Sequence, residues 1–279
     1  MAYDYKLIGV ELDRGVATAT VDNPPINLMT GQLYGELAAL AAEVESDDAV
    51  RVLVLQSANP DFFIAHFDVE LILTFPAEGD PERVERLNPF HEMCERMRTM
   101  PKATIAKIAG RVGGGGSELA SSCDMRFGLL GRTVVNQMEV PIGILPGGTG
   151  TQRLPRLLGR GRAMELILAG IDLDGETAER WGYLNRAFAS AEELDAYVDE
   201  VAGRIAGYPA PAVALAKQAV LAAEPAWHDG LVEESYLFQR LLRTPEAAPA
   251  MRRFLELGGQ TAEGESRVGE LNRMLSDRG

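Results

Sequence analysis

The chain has 279 residues, 46% hydrophobic and 24% charged, an ordinary composition for a folded protein with room for one large core and unlike that of a disordered segment. Its 41 acidic and 27 basic residues leave a net charge of −14, which argues against a surface-wide attraction to nucleic acid or anionic membrane but permits local binding of an anionic small ligand. Cys94 and Cys123 lack metal-ligand spacing, no stretch approaches the ~18 apolar residues of a membrane span, and the start has no basic leader, so reduced buried thiols and a cytoplasmic location are expected.

Residues 7–12 and 16–21, joined by Asp13-Arg14-Gly15, read as an antiparallel hairpin. Asn23-Pro24-Pro25-Ile26-Asn27 breaks the second strand, Thr30 can cap a helix with Leu33, Leu37, Leu40 and Val44 on one face, and residues 50–55 follow as a short buried strand. Strand, helix and buried strand in that order make a βαβ unit with a parallel sheet. After a loop at 57–61, residues 62–68 form an apolar segment containing His66, and Pro76 to Pro81 reads as a mobile loop. Leu87, Phe90, Cys94 and Met97 mark a helix that stops at Met100-Pro101, before a buried strand at 103–109. Residues 125–130 and 133–135 are short strand candidates, and 151–158 is helical. From about Gly159 helices dominate: 160–169 ends at Gly170, Asp174 caps the next up to Gly182, and Ser190 with Glu193 opens another. Two or three more helices reach Phe254, whose apolar faces point to an oligomerisation or lid element, and the polar segment after Gly258-Gly259 reads as loosely held.

Two loops carry the chemistry. Gly110 to Ala120 places Gly113-Gly114-Gly115-Gly116 between a strand and a helix, with Glu118 in the first turn. Such a turn is either a tight connection or a site where free amides at a helix start receive negative charge. The second loop, Pro141 to Gly150, follows Glu139, 21 positions after Glu118. Neither loop has the Gly-Lys-Ser/Thr of a phosphate loop, and Glu118 interrupts a Gly-x-Gly-x-x-Gly pattern, so nucleotide hydrolysis and dinucleotide binding are set aside. Neighbouring strand ends of a parallel sheet can bring Glu118 and Glu139 together as an acid and a base. There is no Gly-x-Ser-x-Gly elbow, so no nucleophile triad is read. His66 reads as a packing residue, His91 and His228 as helix-surface residues, and no metal site is assigned.

In combination, Asn23 to Asn27, Ala65 to Asp68, Ala109 to Asp124, Glu139 to Leu154 and Leu184-Asn185 resemble the enoyl-CoA hydratase/isomerase (crotonase) family. The resemblance implies an α/β fold: a crotonase-like spiral of ββα units over residues 1–197, followed by a helical region at 198–279 used for assembly into a homotrimer or a dimer of trimers. It implies acyl-CoA thioesters as ligands, with coenzyme A part of the substrate and no separate cofactor. By match to its motifs, the backbone N–H groups of Ala65 and Gly115 form an oxyanion hole. Glu118 activates water and Glu139 protonates the α-carbon of a 2-enoyl-CoA. His66, Asp68, Gly114 and Phe238 bind substrate or CoA, Phe238 in the manner of an aromatic that reaches a neighbouring subunit's CoA. The paired carboxylates favour hydration over one-base isomerisation or thioester hydrolysis, a catalytically weak acyl-CoA-binding protein being the remaining reading. His66 stands where the family usually has glycine, Met138 where many members have proline, and one extra residue separates the two glutamates.

Overall fold

A computed structural model describes residues 3–224 and 226–276. β1 (Ile8–Asp13) and β2 (Val16–Val21) form the expected hairpin, with Arg14 and Gly15 both at positive φ as a tight two-residue turn requires. Thr30 caps α1 (Gly31–Ser46) by accepting from the Leu33 amide, and β3 (Val52–Ser57) returns parallel to β2. There follow β4 (Phe62–Ile64), α2 (Val69–Ile72), α3 (Pro89–Thr99), β5 (Ala103–Ile108), β6 (Arg111–Gly113), α4 (Gly114–Ser122), β7 (Met125–Leu129) and β8 (Val134–Asn136). The remainder is α5 (Gly150–Leu158), α6 (Arg160–Ala169), β9 (Leu173–Asp174), α7 (Gly175–Trp181), β10 (Arg186–Phe188), α8 (Ala191–Ala206), α9 (Ala210–Leu221), α10 (His228–Leu242), α11 (Ala247–Glu256), α12 (Ala262–Ser266) and α13 (Val268–Ser276).

The strands form two sheets, one ordered β1-β2-β3-β5-β7-β10 and the other β4-β6-β8-β9, and from β3 to β8 they alternate between the two. The pairs β3/β4, β5/β6 and β7/β8 each give one strand to the first sheet and one to the second before the chain turns helical, which is the spiral of ββα units. The β1–β2 hairpin lies wholly in the first sheet, and β9 and β10 add one strand to the second and first sheets on either side of α7. Side-chain alternation along β3 explains how the first sheet is covered on both faces. Leu53 and Leu55 pack with Leu33, Leu37 and Leu40 of α1, whereas Val52 and Val54 pack with Leu194, Val198 and Ala202 of α8. A division at 197/198 therefore falls inside α8, whose buried residues on both sides of it belong to one contact surface.

The last helices do not hang free. α10, α11 and α13 bury Leu242, Met251, Phe254 and Leu271 in a second core with Val69, Met138 and Ile142. The segment after Gly258-Gly259, expected to be loose, is fixed by Glu265 and Asn272, both buried, with Asn272 Nδ2 donating to Gly170 O at 2.7 Å. Its apolar spacing is short enough to be hidden among polar residues, and its partners lie more than 100 positions upstream. α9 by contrast buries none of its residues and exposes Leu215 and Val220.

Candidate active site

The glycine run works by close approach. A side-chain carbon at Gly116 would sit 2.4 Å from Ile64 O, and one at Gly113 2.6 Å from Ala65 O, so the start of α4 can lie against β4 only without side chains there. Gly114 turns at φ +44, and no side chain caps the helix at Gly113, so its first amides have no intrahelical partner.

One turn along, Glu118 is buried and its Oε1 accepts from the amides of Gly148 and Gly150, both at 2.8 Å. The intervening amides point the other way. Thr149 and Thr151 donate to Glu234 of α10 at 2.7 and 2.9 Å, and the Thr151 hydroxyl also bonds that carboxylate. Glu234 further meets His91 Nε2 at 3.0 Å; this nitrogen also lies 2.9 Å from Gly147 O, which can only accept, so it carries the hydrogen. His91, expected on a helix surface, is thus fully buried under the second loop, while His228 is exposed as expected. The helical period of α3 does place His91 beside Cys94, but the identity of its partner is set by α10, 143 positions away.

Glu139 follows β8; its Oε2 accepts from Gln137 Nε2 at 3.1 Å, and the side chain is buried. Glu118 and Glu139 line the same cavity of ≈ 440 Å³. Tyr34, Phe67 and Phe90 form one aromatic wall, and Ile72, Phe238 and Leu242 an apolar one. Burial pushes both carboxyls up. Glu139 reaches about 7; its partial relief comes from its own backbone amide, His66 and Gln137. Glu118 lies well above the ordinary carboxylate range because burial is reinforced by the charges of Glu139 and Glu234, against the opposing pull of the Gly150 and Gly148 amides. Two buried like charges oppose each other's ionisation, which favours the protonated form of each.

The other residues singled out by sequence fall differently. Ala65 packs with Ile26 and Phe62, and its amide donates to Ile26 O at 3.3 Å, so it does not face the cavity. Residue 67 pairs with Met29 through the flanking His66 O and Asp68 N, which turns the Phe67 amide the opposite way, toward Gly115; a side-chain carbon on Gly115 would lie 3.5 Å from Phe67 N. The amide that joins Gly115 at the cavity is therefore that of Phe67, two residues from the one expected. Asp68 is committed to capping α2, accepting from Glu70 N at 3.0 Å, and to Gln260 Nε2 at 3.1 Å, rather than facing the cavity. Gly114 lies beneath the site: a side-chain carbon there would meet His66 Cβ at 2.9 Å and Glu139 Oε1 at 3.0 Å. Phe238 lines the cavity of its own chain.

His66 needs no left-handed backbone, since it is absent from the positive-φ residues, and its ring is tied on both nitrogens: Nδ1 to Phe67 O at 2.8 Å and Nε2 to Glu265 Oε1 at 3.0 Å. Among the described residues no group of three histidine, cysteine or carboxylate side chains is placed to hold a metal ion, and no helix is long and apolar enough to cross a membrane. Both cysteines are free and buried.

Residues 11–263 match the family model described as enoyl-CoA hydratase/isomerase. A protein of Mycobacterium bovis named as a probable enoyl-CoA hydratase is 31% identical over 256 residues, covering 90% of this chain and 96% of that one. A solved structure from Streptomyces avermitilis, itself proposed as an enoyl-CoA hydratase, is 35% identical with a TM-score of 0.88 over 98% of this chain and 99% of its own. An enoyl-CoA hydratase structure from Bacillus halodurans, 22% identical, shares the fold at a TM-score of 0.79 over 88% of this chain and 99% of its own.

Proposed function

The chain belongs to the enoyl-CoA hydratase/isomerase family, and from that premise we propose that it is an enoyl-CoA hydratase, adding water syn across a 2-enoyl-CoA to give a 3-hydroxyacyl-CoA. The observation that carries this reading is the pair of buried carboxyls, Glu118 and Glu139, on one cavity, each pushed above the ordinary carboxylate range by burial. Hydration needs one carboxylate to take a proton from water and one carboxyl to give a proton to carbon, and the pair holds that inventory.

In the proposed step, Glu118 takes a proton from water as its oxygen bonds to C3. The electron pair of the C2=C3 bond moves to the thioester oxygen, and Glu139 delivers its proton to C2 on the same face as the thioester carbonyl re-forms. The enolate oxygen is received by the amides of Phe67 and Gly115, the second at the positive end of α4. The two glycine amides on Glu118 fix its angle of approach. The apolar wall of Ile72, Phe238 and Leu242 suits an acyl chain. Each step is assigned to a group of the chain, coenzyme A being part of the substrate.

The test is the loss of enoyl-thioester absorbance when wild-type protein meets short-chain and long-chain 2-enoyl-CoAs, with a product heavier by one water. Conversion of 3-enoyl-CoA alone would instead favour a one-base isomerase, release of free CoA a thioester hydrolase, and CoA binding without turnover a binding protein.

A further inference from the structure

The buried pair His66 and Glu265 joins residues 199 positions apart at the edge of the cavity. Each side chain is 2% exposed. His66 Nδ1 lies 2.8 Å from Phe67 O, a carbonyl that can only accept, so that nitrogen carries a hydrogen. Nε2 lies 3.0 Å from Glu265 Oε1, which also accepts the Gln260 amide at 2.7 Å. Both ring nitrogens thus face acceptors, an arrangement that imidazolium satisfies twice and neutral imidazole only once. The electrostatics agree in direction. Burial pushes His66 down, but Glu265, the Phe67 carbonyl and Glu139 lift it above its ordinary value. Burial pushes Glu265 up, but His66 and the Gln260 amide hold it below the ordinary carboxylate range, with Arg111 adding to the pull.

A buried ion pair returns little net stability, since desolvation offsets most of its attraction. Its position is what distinguishes it. His66 Cβ and Glu139 Oε1 both lie within about 3 Å of the point where a side chain on Gly114 would begin, at 2.9 and 3.0 Å, so the ring and the carboxyl share one flank of the cavity. Of the ionisable groups that act on Glu139, His66 favours its ionisation and Glu234 opposes it, while the charge of Glu139 in turn pushes Glu118 up. Glu139 passes from carboxyl to carboxylate as it gives its proton to C2.

We infer that His66, held as a cation by Glu265 of α12, is a positioning residue for hydration: it places a fixed positive charge where the Glu139 carboxylate forms during proton delivery. This rests on the hydratase reading above. The same fastening orders residues 66–69, because Gln260 accepts from the Val69 amide at 2.5 Å and donates to Asp68 at 3.1 Å. The C-terminal helices thereby help to set both the acid and the loop that presents the Phe67 amide.

The experiment is the pH profile of kcat for His66→Gln, Glu265→Gln and the double variant, with 2-enoyl-CoA as substrate. The expected result is an alkaline limb moved up by about one pH unit and kcat at neutral pH lowered roughly tenfold, the equivalent of one pKa unit, with KM little changed. The double variant should be no worse than either single one, because the two residues act as a unit. A limb that stays in place in both variants while the wild type hydrates would overturn this inference and leave the hydratase reading standing; a wild type that hydrates nothing would overturn both. For variants that fail to fold, 15N resonances of the wild-type histidines decide: His66 should remain imidazolium at pH 8, and a neutral ring there would overturn the proposal.

Discussion

Glu118 and Glu234 are gripped by alternate amides of one loop, Gly148 and Gly150 donating to the first, Thr149 and Thr151 to the second. Thr149, the residue before α5, sits in the left-handed region at φ 106, and the turn it makes sends the successive N–H groups of residues 148–151 alternately to the two carboxylates. Glu234 is thereby the counterweight that keeps two amides aimed at Glu118. Replacing Glu234 with Gln leaves buried donors facing a side chain that can accept less, so stability should fall by about 1–3 kcal/mol. The proposed hydration should fall on the order of 10²-fold through misplacement of Glu118. Urea midpoints and kcat at saturating substrate would check the two effects separately; a stable variant with unchanged kcat would show that the loop holds its shape without Glu234.

The proposed chemistry uses both cavity carboxyls. Glu118→Gln and Glu139→Gln should each lower hydration of 2-enoyl-CoA by ~10²–10⁴-fold, the usual contribution of a positioned acid or base. Near-wild-type hydration by either variant would remove that residue from the mechanism.

Glu139 also makes stability depend on pH. Its carboxyl is raised from an ordinary 4.5 to about 7, so the folded protein keeps a proton that the unfolded chain has lost between those values. The contribution is complete below 4.5 and is lost as pH rises through 7. A neutral Glu139→Gln side chain avoids that loss, and the variant should exceed the wild type in stability at pH 8 by up to about 3 kcal/mol. Thermal unfolding at pH 8 and pH 4.5 tests this: the gain should be absent at the lower pH, and an equal gain at both would point to packing rather than ionisation.

Two glycines should respond to alanine in different ways. At Gly116 the new carbon meets backbone, Ile64 O at 2.4 Å, with no flexible end to yield; destabilisation of roughly 1–3 kcal/mol or more is expected from overpacking. At Gly148 it meets Glu118 Oε2 and the Phe90 ring, both at 2.5 Å, so the reacting carboxyl itself must shift and activity should fall further than stability. Parallel denaturation and rate measurements would separate the two; the reverse order would mean that the second loop adapts and the first does not.

The sequence made the local features legible. The Thr30 cap, the hairpin at Arg14-Gly15, the helix opened by the four glycines and the presence of two carboxyls at loop ends all depend on residues within one or two turns of each other. What it hid depends on distant partners or on backbone direction. His91 with Glu234 and His66 with Glu265 pair across 143 and 199 positions, and no local period marks them. The choice between the Ala65 and Phe67 amides turns on which residue of that segment pairs with Met29, a matter of strand register that side-chain pattern does not encode. The C-terminal segment looked loose because its anchors are polar, Gln260, Glu265 and Asn272, and polar residues signal solvent until their buried partners are known.

The most direct test of the central claim follows 18O from labelled water through the reaction of a 2-enoyl-CoA with the wild-type protein, read by mass spectrometry of the products. Hydration by Glu118 and Glu139 predicts one labelled oxygen on C3 of an intact 3-hydroxyacyl-CoA. Label in the carboxylate of a released acid, or an unlabelled thioester with its double bond moved, would contradict it.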